Sequence, residues 1–302
     1  MAEVVAALEQ SQDHPVSIAR RLRSLPSVVL PQLIRRSPLL LVAIVIVTVW
    51  VIVGVTAPLI APYGPLEQDI ANRLTPPSRQ HWLGADPLGR DIFSRIVYGT
   101  RISLPVGAVT VTLALLLGTV IGGIAGFIGG VVDEFIMRLT DLVLAFPTII
   151  LAMVITAALG AGIRNAILAI LIAWWPTYAR VVRGLVLAVR DREFVLAVHA
   201  AGATRTRVFF RHVLPNTISP MIILSTMDLG HVILTFASLS FLGLGPPPES
   251  PEWGSIIASG RTYFDQWWIG AFPGLAILSL VFAFNIIGDS MRDLLDPRFR
   301  KV

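Results

Sequence analysis

The chain has no cysteine, which excludes disulfides, thiolate metal sites and cysteine nucleophiles. It has one lysine, Lys301, so no glycine-rich loop can supply the lysine of a P-loop, and Gly-x-x-x-x-Gly-Lys-Ser/Thr does not occur. ATP hydrolysis by that mechanism is therefore outside this chain. His-Glu-x-x-His and Gly-x-Ser-x-Gly are also absent, and the five histidines (14, 81, 199, 212 and 231) are scattered, so the sequence gives no support to a membrane enzyme. Charge is scarce. Only 14% of the 302 residues are charged against 55% hydrophobic, with a mean hydropathy of +0.75, more apolar surface than one soluble core can use. A bilayer is the matching solvent. The excess of 24 Lys+Arg over 19 Asp+Glu does not read as nucleic-acid binding, because the arginines sit between apolar runs. Met1–Pro15 carries Glu3, Glu9 and Asp13, unlike the basic start of a cleavable signal peptide, so the first apolar run is expected to remain as an anchor.

Crossing a hydrocarbon layer of about 30 Å takes about 20 helical residues. Six stretches qualify: 39–60, 102–128, 142–159, 163–186, 217–242 and 270–288. The Lys/Arg census gives 17 on the side of the termini and 7 on the other. This bias predicts that both termini, the tail 1–38 and the segment 190–216 are cytoplasmic.

Segment 190–216 is a polar, arginine-rich island between two apolar runs. Residues 193–201 hold no Gly or Pro and place Phe194, Val195, Val198 and Ala201 near one helix face, while Gly202 can take the left-handed turn that ends a helix. Thr204 can cap a second short helix bearing Val208, Phe209 and Val213, expected to stop before Pro215. The pattern predicts a compact bracket on one side of the membrane; an interfacial helix lying among headgroups would share these features.

Gly118, Gly122, Gly126 and Gly130 recur every fourth residue and predict a smooth groove for close helix packing. Pro147 and Pro176 are expected to kink helices beside a cavity, and Pro220 to sit in a first turn behind Ser219. Outside the spans, His81, Asp86 and Asp91 have no standard metal-ligand spacing and Arg90 lies among them, which argues against a metal site. Trp253, Tyr263, Trp267 and Trp268 suit a membrane interface, with a docking surface as the second use. Asp228 and His231 lie three apart on one face of the fifth span, where ionisable groups mark a pathway or proton relay unless they satisfy each other or a neighbour such as Asn285. A proton-coupled secondary transporter using Asp228 and His231 is the alternative that this pair keeps open; no internal repeat of the kind such transporters carry is visible.

Three blocks then carry a resemblance: His81–Leu104 (HWLGADPLGRDIFSRIVYGTRISL), Leu239–Gly254 (LSFLGLGPPPESPEWG) and Asn285–Arg298 (NIIGDSMRDLLDPR). With the bracket they resemble the inner-membrane permease subunits of ATP-binding-cassette importers for dipeptides, oligopeptides and nickel, the "C" partner of the pair, over nearly the whole chain after about Leu39. The resemblance implies an all-α membrane protein, a type I importer transmembrane domain (39–302) with six spans and a cytoplasmic coupling helix, in a bacterial inner membrane. It implies a second homologous permease, one or two ATPase subunits carrying the ATP and magnesium, and an extracytoplasmic substrate-binding protein, with no cofactor in this chain and no nucleic acid. The bracket would be the loop whose pattern runs Glu-Ala-Ala, three residues, Gly, then Leu-Pro. Ala197, Gly202, Leu214, Pro215 and Asn216 match it; Leu196 replaces the glutamate, Val198 the second alanine, and His199 follows. The nearest acid is Glu193. Grip on the ATPase is accordingly expected from Phe194, Val195 and Val198 and from Arg192 and Arg205, with the translocation pathway near Asp228, His231 and Asn285.

Overall fold

A computed structural model of the chain describes residues 38–295. The tail before Pro38 and the end after Leu295, including the Asp296-Pro297-Arg298 part of the third block, lie outside the described residues. Residues 38–42 form the first turn of helix α1 (Pro38–Val55); all packing described below is within the unit from Ala43 onward. A short helix α2 (Ala57–Ile60) follows, then a segment without regular strands, 62–91, and α3 (Ile92–Ile128); that segment lies at the end of α3 away from residues 190–216 and is called outer in that sense only. Next come α4 (Gly130–Leu144), α5 (Thr148–Leu159), α6 (Ile163–Arg190), α7 (Glu193–Ala200) and α8 (Arg205–Val208). A π-helical turn at Phe209–Val213 leads into α9 (Leu214–Phe241), and α10 (Trp253–Gly260) and α11 (Trp268–Leu295) complete the described residues.

Among the described residues five helices are long and apolar enough to cross a membrane: α1, α3, α6, the continuous run Arg205–Phe241, and α11. α4 with α5, a pair bent by 88°, makes a sixth when the two pieces are counted as one span. The expected span 142–159 is thus two pieces meeting at residues 145–147, with the break at Pro147, where a kink is expected. Pro147 has no N–H to continue α4 and its own ψ is 125°, so the chain restarts at Thr148 with Leu151 N–H donating to the Pro147 carbonyl at 3.0 Å.

Three further expectations are corrected. The second bracket helix does not stop before Pro215: Leu214 N–H reaches back to the Phe209 carbonyl in a π turn, and this widened turn takes up a proline that cannot donate. Pro220 is not a first-turn residue but lies inside α9. α3 also starts ten residues before the expected boundary, because Asp91 caps it, accepting from Ser94 N–H at 2.7 Å.

The core has three parts. Ile92, Ile96, Ile233, Trp253, Ile269 and Leu280 join α3, α9, α10 and α11. Val106, Ala152, Ile170, Val232 and Phe236 join α3, α5, α6 and α9. Tyr178, Val182, Val186, Val195, Val208 and Val213 fasten the bracket to α6. In lipid such contacts hold by close packing rather than by apolar surface leaving water, so small residues decide how near two helices come.

Candidate functional site

The bracket begins where α6 ends. Arg190 donates from Nη1 to the Gly126 carbonyl at 2.7 Å, tying the end of α6 to the end of α3. Glu193 opens α7, where its charge favours the helix N-terminus. Gly202 adopts φ +88° and stops the helix; its N–H bonds the His199 carbonyl and the Ala203 N–H the Val198 carbonyl. Thr204 Oγ1 then accepts from Arg207 N–H at 3.4 Å and starts α8. The two short helices therefore meet at a fixed angle set by one glycine and one cap.

Burial divides the bracket into two faces. Val195, Val208 and Val213 are buried against α6, and Phe194, Val198, Ala203 and Phe209 pack on the same cluster. Phe209 also stacks on Phe127 of α3 with ring centres 5.0 Å apart. Val195 therefore braces the bracket from inside, and Phe194 and Val198, half-buried, pack against the same cluster while keeping part of their surface open. The open face carries Arg192, Glu193, Leu196, Ala197, His199, Ala201, Gly202 and Arg205, with Arg207, Phe210 and Arg211 beside them. Leu196 and Phe210 are 54% and 62% exposed, large apolar side chains that sequence spacing did not single out. Pro215 is exposed and Leu214 half-buried at the entry to α9.

The glycine groove holds α6 against α3. A Cβ at Gly118 would lie 2.3 Å from Tyr178 Cβ, at Gly122 2.1 Å from the Ala179 carbonyl oxygen, and at Gly126 3.0 Å from the Arg183 carbonyl oxygen. Gly130 is not part of it: Gly129 and Gly130 take φ +72° and +61° and turn the chain into α4.

Of the three pathway candidates, the structure joins only two. Asp228 is buried and accepts from Trp174 Nε1 at 3.1 Å, which locks α9 to α6. His231 Nδ1 stands 4.0 Å from Asp228 Oδ1 with its side chain half exposed, on the same helix face as Thr235 and Ser238. Asn285 donates to the Val281 carbonyl of its own helix at 2.8 Å and makes no contact with Asp228 among the described hydrogen bonds.

At the other end of the molecule, His81 pairs with Asp91 at 3.0 Å, while Asp86 is shared by Arg90 (2.6 Å) and Arg95. Arg95 is fully buried and donates to the Ser250 carbonyl at 3.0 Å, joining the two outer segments. His81, Asp86 and Asp91 are thus each engaged by a side chain of this chain. Trp253 and Trp268 are corrected from interface residues to core: both are buried and donate to carbonyls, Trp253 to Ile96 at 3.0 Å and Trp268 to Ala85 at 3.3 Å. Trp267 is the exposed one, at 59%.

Residues 118–301 match the family described as binding-protein-dependent transport system inner membrane component, and residues 33–77 the N-terminal TM domain of oligopeptide transport permease C. A dipeptide transport system permease protein of Alkalihalophilus pseudofirmus is 42% identical over 88% of this chain and 88% of its own length. A probable D,D-dipeptide transport system permease protein of Escherichia coli is 42% identical over 88% and 90%. The nickel transport system permease protein of Escherichia coli is 45% identical over 84% and 92%. The fold is shared with a chain of the MetNI methionine ABC transporter in inward facing conformations, with a TM-score of 0.55 at 18% identity over 67% of this chain and 97% of that one. All of these are transport subunits rather than enzymes. The chain is a multi-pass inner-membrane protein that belongs to the binding-protein-dependent transport inner-membrane components, in the group of the dipeptide and nickel permeases.

Proposed function

We propose that this permease forms one half of an import pathway for dipeptides, oligopeptides or similar small cargo, with a second homologous permease as the other half. Separate ATPase subunits would supply the energy and an extracytoplasmic binding protein the cargo. The bracket would be the point at which closure of the ATPase subunits enters the membrane domain, and the observation carrying this reading is its construction. It is capped, stopped by Gly202 and braced on α6 and α3 by Val195, Val208, Val213 and Phe209, so a push on its open face is passed to spans instead of being absorbed by a loop. This reading places the bracket and both termini in the cytoplasm, in agreement with the arginine bias. His231, with Thr235 and Ser238 on the same face, would line the pathway, since a half-exposed imidazole at membrane depth suits water or a partner helix and not lipid. Asp228 would act behind it as an anchor.

The test is uptake by the reconstituted importer carrying Gly202→Val. A Cβ there meets nothing within 4 Å, so the variant should insert normally, yet a β-branched residue at φ +88° should distort the stop and reduce coupled transport. Normal transport by a normally inserted variant would remove the assigned role of the glycine. Uptake that persists without any ATPase subunit but is lost in Asp228→Asn would instead favour a proton-driven mechanism.

A further inference from the structure

Beside the glycine stop the bracket carries an open notch of about 320 Å³ lined by Val198, Ala201, Gly202, Ala203, Arg207, Arg211 and His212. Between Arg190 and His212 the chain carries five arginines and two histidines against Asp191 and Glu193. Asp191 already sits against Arg190 at 3.3 Å, and Arg192, Arg205, Arg207 and Arg211 take part in no ion pair among the described residues. Leu196, at the position where the resembling loops carry a glutamate, is exposed on α7 and adds no negative charge. Charge of one sign is therefore gathered around a concavity and left uncompensated within the chain. An arginine fork recognises a planar carboxylate by two parallel hydrogen bonds.

We propose that this notch is an acceptor site for a carboxylate side chain of the ATPase subunit, with Arg207 and Arg211 as its two forks, His212 at its wall and the exposed Phe210 as the apolar contact next to it. The polarity of the contact is thus basic on the permease and acidic on the ATPase. The inference rests on the bracket being the ATPase-docking element. Charge complementarity selects the occupant: a second copy of this bracket would bring arginines to arginines, and a peptide cargo would have no reason to engage a notch beside the coupling turn.

The test uses the full importer, permeases and ATPase subunits co-expressed and reconstituted in nanodiscs of zwitterionic phosphatidylcholine alone or with anionic phosphatidylglycerol. In the zwitterionic discs, retention of the ATPase subunits by the Arg207→Glu/Arg211→Glu double variant should fall at least about tenfold, and wild-type affinity should weaken as salt is raised. An Asp→Lys or Glu→Lys change in the ATPase should restore it. Retention within about twofold of wild type in both kinds of disc overturns the proposal, as does a loss confined to discs with phosphatidylglycerol, which makes a lipid phosphate the occupant. Gly202→Val separates the two levels. If it abolishes retention while the charge reversal does not, the coupling role stands and the carboxylate site fails; if neither has an effect, both fail.

Discussion

Gly122 shows how one missing methyl group sets a helix pair. A Cβ at this position would lie 2.1 Å from a backbone oxygen of α6, and no rotamer change can move a backbone atom aside. Gly122→Ala should therefore force α3 and α6 apart and cost about 1–3 kcal/mol, the usual penalty of overpacking. Gly184→Ala on α6 is the matched control, because its Cβ would meet nothing within 4 Å, and it should be neutral or slightly stabilising. Thermal unfolding of the two variants in the same detergent checks the contrast; equal Tm values would discard the groove as a packing device. Glu252 is a second residue with a defined outcome. It is fully buried at the start of α10, accepting from Gly254 N–H at 3.0 Å and Ser255 N–H at 2.9 Å, and burial pushes its carboxyl above the ordinary carboxylate value despite those bonds. The folded chain then holds this proton to higher pH than the unfolded chain. The associated stability is full below the ordinary value, near 4.5, and is lost as pH rises through the raised folded value. Tm followed upward from about pH 4.5 should fall in the wild type by more than in Glu252→Gln, where this titration is gone. Identical slopes would show that the group titrates as it does in the unfolded chain.

At the scale of elements, Pro147 marked a kink between α4 and α5, but a bend as large as 88° was not legible. Residues 142–159 are nearly all apolar, and hydropathy reads them as one span, although Thr148–Leu159 alone is 12 residues, about 18 Å of helix and too short to cross about 30 Å. What bends the pair is distributed over positions far apart in the chain. Arg183 holds Asp133 by two bonds of 2.6 Å and Arg180 holds Asp141 at 2.5 Å, so two points eight residues apart on α4 are fastened to α6, which holds α4 away from the line of α5. Long-range ion pairs of this kind carry no periodic signal. The turn at Gly202 and the cap at Thr204 were legible because they are local: one needs a left-handed residue, the other a hydroxyl before a helix. The inward face of α7 was legible as apolar, but its partner was not, since periodicity marks a stripe without saying which surface covers it. Pro147→Ala restores the missing N–H and should let α4 and α5 approach one helix. Spin labels at 135 and 154 should then move from about 20 Å apart toward about 28 Å, the length of 19 residues of straight helix. An unchanged separation would assign the bend to Arg180 and Arg183 alone.

On the scale of the whole molecule, α3 is engaged at both ends. Its start is held by the outer cluster of Asp86, Arg90, Arg95 and Asp91, and its far end by Arg190 and by Phe127 against Phe209 of the bracket. These ends are built from different physics. The bracket brace is apolar, and removing one side chain leaves a smaller contact. The outer cluster is ionic and buried, with Asp86 and Arg95 at 0% exposure, and removing its acid strands two guanidinium groups in a place that water does not reach. Taking away one partner of a buried pair costs about 3–5 kcal/mol, whereas replacing both partners by apolar side chains of similar volume is often close to neutral. Asp86→Leu should thus be far more damaging than Asp86→Leu combined with Arg90→Met and Arg95→Met. The damage should also be one-sided. The segment 62–91 is joined to the segment 243–268 through Arg95 and the Ser250 carbonyl and through Trp268 and the Ala85 carbonyl, so loss of Asp86 should expose both outer segments to protease together. The bracket, fastened by its own apolar cluster, should keep its protection. Limited proteolysis of the reconstituted variants, mapped by mass spectrometry, reads both ends at once. Cleavage that rises equally in the outer segments and in the bracket would mean that the two ends of α3 fold as one cooperative unit, and the separation of outer clamp from inner brace would have to be abandoned.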